Sequence, residues 1–207
     1  NLWLWGLAEN TLKGQERIAT KPNSLEGGGR IQFPFANGDL GVTTHQRVTE
    51  AMGFTGNDSE SNLTEKRIAL DGRWDISIGV WFESVLVDQG SDTAQDNWLT
   101  QNTLGLDYTF GIGNGLYLLA EHQLTVFSEQ AWALTNPNQR SAVQMSYPLN
   151  LLDSVSLLTT VQWNDDIDAS SRLSWTRVYD NWIAQISSFY SNTNDAFGVL
   201  TTVVFDH

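Results

Sequence analysis

Hydrophobic and polar residues alternate with a period of two along most of the chain. Within residues 73–86, the even positions from Trp74 to Phe82 are apolar, whereas odd positions such as Arg73 and Asp75 are mostly polar. The same alternation recurs in residues 30–35, 103–110, 154–163 and 197–205. Because successive side chains of a strand point to opposite faces, this pattern predicts β-strands with one apolar face and one polar face.

The alternation predicts eleven strands from residue 24 onward and one more over residues 2–7. Helical periodicity is nearly absent. Most of the predicted strands are long enough to cross a bilayer, which takes about 9–11 residues in a tilted strand. The eleven span residues 24–35, 39–50, 63–70, 73–87, 98–110, 116–127, 140–147, 154–163, 171–179, 182–190 and 196–205.

Short and long connections alternate between these strands. The short ones carry Asn-Gly and Asp-Gly signals typical of tight turns, and they lie at residues 36–39, 71–72, 111–115, 148–153 and 180–181. The long ones are polar and acidic, and they lie at residues 51–62, 88–97, 128–139, 164–170 and 191–195. A soluble sandwich has no reason to sort its connections in this way. Outer-membrane barrels do, because short turns face the periplasm and longer loops face outside.

Composition narrows the function classes. The chain has 207 residues, no cysteine and a net charge of −13. An acidic chain is a poor nucleic-acid binder, since binding needs basic groups to neutralise phosphates. Without cysteine there is neither a disulfide framework nor a thiolate metal site. Aromatic residues near segment ends fit the interfacial girdles of membrane barrels, and they are Trp74, Trp98, Phe110, Phe127, Trp163, Trp182 and Tyr190.

The last predicted strand carries a specific resemblance. Residues 197–205 alternate and close on Phe205, followed by Asp206 and His207. This segment resembles the terminal-strand assembly signal of Gram-negative outer-membrane β-barrel proteins, without identifying a subfamily. The resemblance implies an all-β, antiparallel transmembrane β-barrel of 12 or more strands in the bacterial outer membrane. Its expected surroundings are outer-membrane lipid and lipopolysaccharide.

Strand parity leaves two interpretations of the domain. Single-chain bacterial barrels have an even number of strands. If residues 11–19 form a strand, the total is thirteen, and residues 1–207 are then one β-barrel domain that lacks its N-terminal strands. If they form a loop, the total is twelve and the barrel is complete. We expect the first, a C-terminal part of a larger barrel.

The polar face of the strands becomes the interior of such a barrel. A barrel of twelve or more strands is wider than one whose side chains fill the lumen, which favours a water channel. We therefore predict a porin-like channel for ions or small hydrophilic solutes, with neither cofactor nor metal. A structural charge network without a transport role is equally compatible with these residues. The predicted pore-lining residues are Arg30, Gln32, His45, Arg47, Arg67, Arg73, Asp75, Glu83, Asp107, Glu121, Gln123, Arg140, Gln144, Gln162 and Arg172.

Three alternatives remain open at this point. The first is a structural barrel that anchors or sheathes a protein partner, and the second is a soluble Trp-rich sugar-binding sandwich. The third is an outer-membrane lipid hydrolase, which needs a histidine beside a serine on the lipid-facing surface. His45 has no serine nearby in sequence, whereas His122 lies on the apolar face with Leu118 and Leu124. No hydrolase motif is present, so we expect a protein that is not an enzyme.

Overall fold

The fold is a single antiparallel sheet whose strand order follows the sequence. A computed structural model describes residues 1–8, 20–21, 23–49, 63–90, 97–163 and 166–205. In this part of the chain, twelve strands pair in the order β1 to β12. The order begins at β1 and ends at β12, so the described sheet is not closed. The strands are β1 (Leu2–Ala8), β2 (Leu25–Phe35), β3 (Gly38–Thr49), β4 (Leu63–Asp75), β5 (Gly79–Asp88), β6 (Trp98–Phe110), β7 (Leu116–Ser128), β8 (Asn138–Pro148), β9 (Asp153–Trp163), β10 (Ile167–Val178), β11 (Trp182–Ser191) and β12 (Ala196–Phe205).

These strands confirm the all-β, antiparallel prediction and most of the predicted boundaries. β6 and β12 coincide with the predicted ranges, and β1 extends the predicted segment by one residue. The segment at residues 11–19, on which the parity argument depends, lies outside the described residues. Within the described residues, no helix is long and apolar enough to span a membrane.

The prediction of a turn at Asp71–Gly72 is wrong. β4 continues through this dipeptide to Asp75, and the chain reverses at residues 76–78, where Ser77 has a φ of 88°. Gly72 lies opposite Leu40 in the ladder, and a Cβ on it would meet the rings of Trp74 and Phe82. The glycine therefore makes room for aromatic packing within a strand, not for a turn.

This correction changes the position of two apolar residues. Ile76 and Ile78 were expected in the middle of a strand, but both lie in the connection between β4 and β5, where their side chains are exposed. Trp74 and Phe82, assigned to one face, do share it, because their rings stack with centroids 5.8 Å apart.

The connections remain sorted, but less strictly than predicted. In an antiparallel meander, successive connections alternate between the two ends of the sheet. The connections at one end, residues 36–37, 76–78, 111–115, 149–152 and 179–181, are all short. The strands that meet at the other end are separated in sequence by residues 9–24, 50–62, 89–97 and 129–137, many of which lie outside the described residues. This end also carries residues 164–166 and 192–195, which are shorter than expected because β10 begins at Ile167 and includes Asp168.

The chain divides into two compact units, whose boundaries fall within β5, β6 and β7. Unit 1 comprises residues 1–75, 81–103 and 124–137, and unit 2 comprises residues 76–80, 104–123 and 138–207. In unit 1, β1 to β4 pair in continuous register, with Trp5 opposite Gly28 and His45 opposite Arg67. In unit 2, β8 to β12 do the same, with Arg172 opposite both Leu158 and Phe189.

The part of the chain that the structure describes encloses very little hydrophobic core. Among the described residues, four hydrophobic side chains are buried, namely Leu86, Val87, Leu99 and Val126. Large apolar side chains are instead exposed along whole strands. In β12, Phe197 is 70% exposed and Phe205 is 67% exposed. The apolar alternation in the sequence therefore does not mark packing between protein layers.

Candidate functional site: the polar faces of the sheet

Cross-strand register brings most of the predicted unit 1 residues onto one face, which we call the unit 1 polar face. Residues directly opposite each other in a ladder share a face. His45 pairs with Arg67 and Gly28, and Arg30 pairs with Thr43, two residues from His45. By alternation the same face carries Gln32, Arg47, Arg73 and Asp75. Glu83 alternates with Phe82 in β5 and is exposed.

Arg30 and Asp71 form the best-defined ion pair of this face. The guanidinium donates through Nη1 to Oδ1 at 2.5 Å and through Nη2 to Oδ2 at 2.6 Å. Nη1 also donates to the Thr43 hydroxyl at 2.9 Å. This two-pronged geometry fixes the guanidinium plane and joins β2 to β4 across β3. Sequence analysis predicted Arg30 but missed Asp71, because a presumed turn residue was not considered for the interior.

Glu65 is the centre of a second network. Its carboxylate is 4% exposed and accepts from Arg47 Nε at 2.8 Å and from Arg67 Nε at 2.6 Å. The pairing Arg47↔Glu65 puts the first contact directly across the β3–β4 ladder. A single carboxylate thus holds two of the predicted pore-lining arginines, which keeps their positive charges fixed at one end of the face.

Trp5 lies on this face as well, beside His45. Their rings stack with centroids 6.2 Å apart, and the indole covers Gly28, where a Cβ would meet both the ring and the Thr44 carbonyl. Residues 2–7 are apolar on both faces, so their pattern does not predict this contact. The signal was the Gly27–Gly29 run in β2, which leaves room for a large ring on the neighbouring strand.

The unit 2 polar face is different in character, because neutral groups dominate it. We use this name for the face that carries Gln144, Gln162 and Arg172. Arg140 lies opposite Gln162, and its Nη2 donates to the amide oxygen at 3.4 Å. Arg172 donates through Nη2 to Ser187 Oγ at 3.0 Å. Serine, threonine and glutamine side chains occupy many of the other positions of this face, together with apolar residues such as Leu158 and Phe189.

Two adjoining cavities lie against this face. One, of about 300 Å³, is lined by Arg172, and the other, of about 400 Å³, is lined by Arg140. Thr160, Ser170 and Ser191 line both. The hydroxyls of Thr160 and Ser170 are hydrogen-bonded at 2.8 Å at this shared wall. The cavities are therefore two ends of one cleft.

Three further predicted residues lie on β6 and β7. Asp107 accepts from the Tyr117 hydroxyl at 3.2 Å. Glu121 and Gln123 flank His122 in β7 and so point to the opposite face of that strand from His122. Whether any of the fifteen predicted residues lines an open pore stays a prediction.

His122 forms a polar cluster on the apolar side of unit 2. Its Nδ1 lies 2.8 Å from Ser141 Oγ, and the Trp163 indole donates to the same oxygen at 2.9 Å. We call these three residues the His122 cluster. Sequence analysis noted His122 but missed Ser141, because the two residues come from different strands. The His122 cluster lies near the start of β8, the strand that follows the long connection at residues 129–137.

The described residues contain no group of three or more side chains suited to hold a metal ion. The sequence has an acidic stretch at residues 165–168, of which residue 165 lies outside the described residues. Asp168 belongs to β10, where it accepts from Thr193 Oγ1 at 3.0 Å.

No family model, curated protein or solved structure matches this chain. What it does must therefore be argued from its own residues.

Proposed function

We propose that the chain forms a β-barrel of the Gram-negative outer membrane, or the C-terminal part of one. We further propose that it acts as a porin-like channel for ions or small hydrophilic solutes. Its apolar face contacts lipid and its polar face surrounds water. The long connections lie toward lipopolysaccharide, and the short ones face the periplasm.

The observation that carries this proposal is the inverted distribution of apolar side chains. In β6, Leu104, Leu106 and Tyr108 are exposed, whereas the intervening Gly105 is buried and Asp107 is half-buried. A soluble protein rarely exposes an apolar patch larger than a few hundred Å². Hydrocarbon removes this cost, and only helices and closed barrels cross a bilayer with every backbone group satisfied.

The polar faces support a water-filled interior. Arginine and carboxylate groups are expensive in hydrocarbon and pair with one another where they occur within a membrane. The Arg30–Asp71 and Arg47–Glu65 pairs meet this need on the unit 1 polar face. The half-buried hydroxyls and amides of unit 2 are the lining that a passive channel for hydrophilic solutes requires.

Planar bilayers test the channel directly. The full chain, purified in detergent and added to the bilayer, is expected to give stepwise conductance in potassium chloride. Heat-unfolded protein at the same detergent concentration is the control. If the chain folds, depends on detergent and does not conduct, the result would reject the channel. It would favour the structural barrel that anchors a partner. A chain that stays monodisperse without detergent would contradict the membrane proposal itself.

The His122 cluster favours a second candidate, an outer-membrane lipid hydrolase. The indole nitrogen only donates, so Ser141 Oγ accepts from Trp163 and can direct its own hydrogen to His122 Nδ1. A histidine base in this position would take the hydroxyl proton as Oγ attacks a lipid ester carbonyl. It would then pass that proton to the departing alcohol, and water would release the acyl group.

Hydrolysis of a fluorescent phospholipid in detergent micelles separates the two candidates. The hydrolase predicts turnover that Ser141→Ala and His122→Ala each abolish and that Ser171→Ala, a serine on the same face of β10, leaves intact. The channel predicts conductance that Ser141→Ala leaves unchanged. Absence of turnover by the wild-type chain rules out the hydrolase.

A further inference from the structure

The cleft on the unit 2 polar face has a charge pattern that differs from the rest of the molecule. The chain as a whole carries a net charge of −13. The two cavities, by contrast, are lined by two arginines and one carboxylate, that of Asp168. The remaining lining groups are hydroxyls, amides and apolar side chains. The cleft is therefore a locally positive region on an acidic protein.

The end of the cleft that Arg172 lines carries the larger net positive charge. Among the described residues, no carboxylate lies within 4 Å of the Arg172 guanidinium, which contacts the Ser187 hydroxyl and, at 3.4 Å, the Gln185 amide oxygen. Arg30, Arg47 and Arg177 each have a carboxylate partner. Both contacts of Arg172 are made by Nη2, so its remaining donors stay available at the cavity.

Hydroxyl groups of neighbouring serines hold the Arg172 side chain in place. Ser174 and Ser187 are both buried, and their hydroxyls lie 2.8 Å apart, directly opposite each other across the β10–β11 ladder. Ser187 Oγ accepts from Arg172, so the guanidinium is hydrogen-bonded to the uncharged Ser174–Ser187 pair. A charge held in position without a counter-ion interacts strongly with an anion that enters the cavity.

The other lining groups indicate what kind of anion fits. Thr160, Ser170, Ser191 and Asn194 surround the space next to Arg172 with groups that both donate and accept hydrogen bonds. A cavity of about 300 Å³ admits a small organic molecule. A simple halide can only accept hydrogen bonds from these groups, whereas a hydroxylated molecule uses both their donors and their acceptors.

We propose that the cleft binds a hydroxylated organic carboxylate, with its anionic group on Arg172 and its hydroxyls on the Thr160–Ser170 wall. Arg140 contributes less, because the Asp168 carboxylate lines the same end of the cleft and lowers its net charge. This inference deepens the proposed function, on which it rests, since it names the class of solute that the channel would select.

Equilibrium binding of sodium gluconate to the full chain in detergent tests the proposal by calorimetry, without requiring conductance. We expect saturable binding with a dissociation constant near or below about 1 mM, and none with the uncharged analogue sorbitol. Arg172→Gln should weaken binding at least about tenfold, as the loss of a charge-assisted hydrogen bond predicts. Lys66→Gln in β4 removes the same charge elsewhere and should leave binding unchanged.

Two further variants keep the test decisive. Arg172→Lys retains the charge and should bind between wild type and Arg172→Gln. If Arg172→Gln does not fold, Thr160→Val changes no charge and should still weaken gluconate binding. Equal binding by wild type, Arg172→Gln and Thr160→Val would overturn the inference, as would equal binding of gluconate and sorbitol. Lost binding with intact conductance rejects this inference alone, and lost conductance with intact binding rejects the channel alone.

Discussion

Two carboxylates that form ion pairs on the unit 1 polar face differ in how far solvent reaches them. Glu65 is 4% exposed and holds two arginines, whereas Asp71 is 32% exposed and its partner Arg30 is 27% exposed. Solvent screens the Arg30–Asp71 pair, so its contribution to stability falls toward that of a surface salt bridge. Buried charges lack this screening, and removal of one partner leaves the other uncompensated.

We therefore expect Glu65→Gln to lower the free energy of unfolding by about 3 kcal/mol. Asp71→Asn is expected to lower it by about 1 kcal/mol or less. Urea unfolding of the chain in lipid vesicles, followed by tryptophan fluorescence, measures both. An equal loss for the two variants would show that Glu65 is not the more strongly coupled carboxylate.

Gly38 gives a second prediction for a single side chain. A Cβ at this position would meet the Arg73 carbonyl and the Trp74 ring, whereas nothing lies within 4 Å of a Cβ at Gly111. Overpacking costs about 1–3 kcal/mol, so Gly38→Ala should destabilise by that amount. Gly111→Ala should stay within about 0.5 kcal/mol of wild type. The same unfolding experiment compares them, and a neutral Gly38→Ala would contradict the close approach of Trp74.

The strands themselves were largely predictable from sequence, because a period of two is a strong local signal. β6 shows this over residues 103–110, and β12 shows it with Phe197, Val199, Val203 and Phe205 on one face. The turn after β4 was not predictable. Asp71–Gly72 is a favourable turn dipeptide, but Trp74 and Phe82 pack over Gly72 and keep it within the ladder. Contacts between aromatic rings on different strands do not appear in local propensity.

The candidate sites show the same limit. Arginines and glutamines at alternate positions indicated a polar face, and register groups Arg30, His45 and Arg67 as that pattern expects. The partners that decide the chemistry, Asp71 and Ser141, are distant in sequence from the groups they contact. They become visible only when strands are aligned.

Strand β8 offers a direct test of which face meets lipid. Val143 is 40% exposed, and its neighbour Gln144 points to the unit 2 polar face. Val143→Arg should lower the free energy of unfolding in vesicles by about 2–4 kcal/mol, as expected for a charge at the bilayer midplane. Gln144→Arg should cost much less, because the proposed barrel turns this face toward water. Equal losses would contradict the assigned faces.

Labelling of single introduced cysteines can test the orientation of the sheet in the membrane, because the chain contains no cysteine of its own. Leu134, 59% exposed, lies in a long connection, and Leu151, fully exposed, lies in a short one. In intact Gram-negative cells, a membrane-impermeant maleimide is expected to label Leu134→Cys. It should label Leu151→Cys only after the outer membrane is permeabilised.

The cysteine-free chain provides the background for this labelling. Equal labelling of both variants in intact cells would contradict the proposed direction of insertion.

The meander also has a consequence for how such a molecule can change in size. Every strand pairs with its neighbours in sequence, so the basic unit is a hairpin that carries its own register. Duplicating or deleting one hairpin would widen or narrow the sheet by two strands and leave the other ladders intact. The width of such a barrel can thus change in evolution by one hairpin at a time, while the side chains on the remaining strands stay the same.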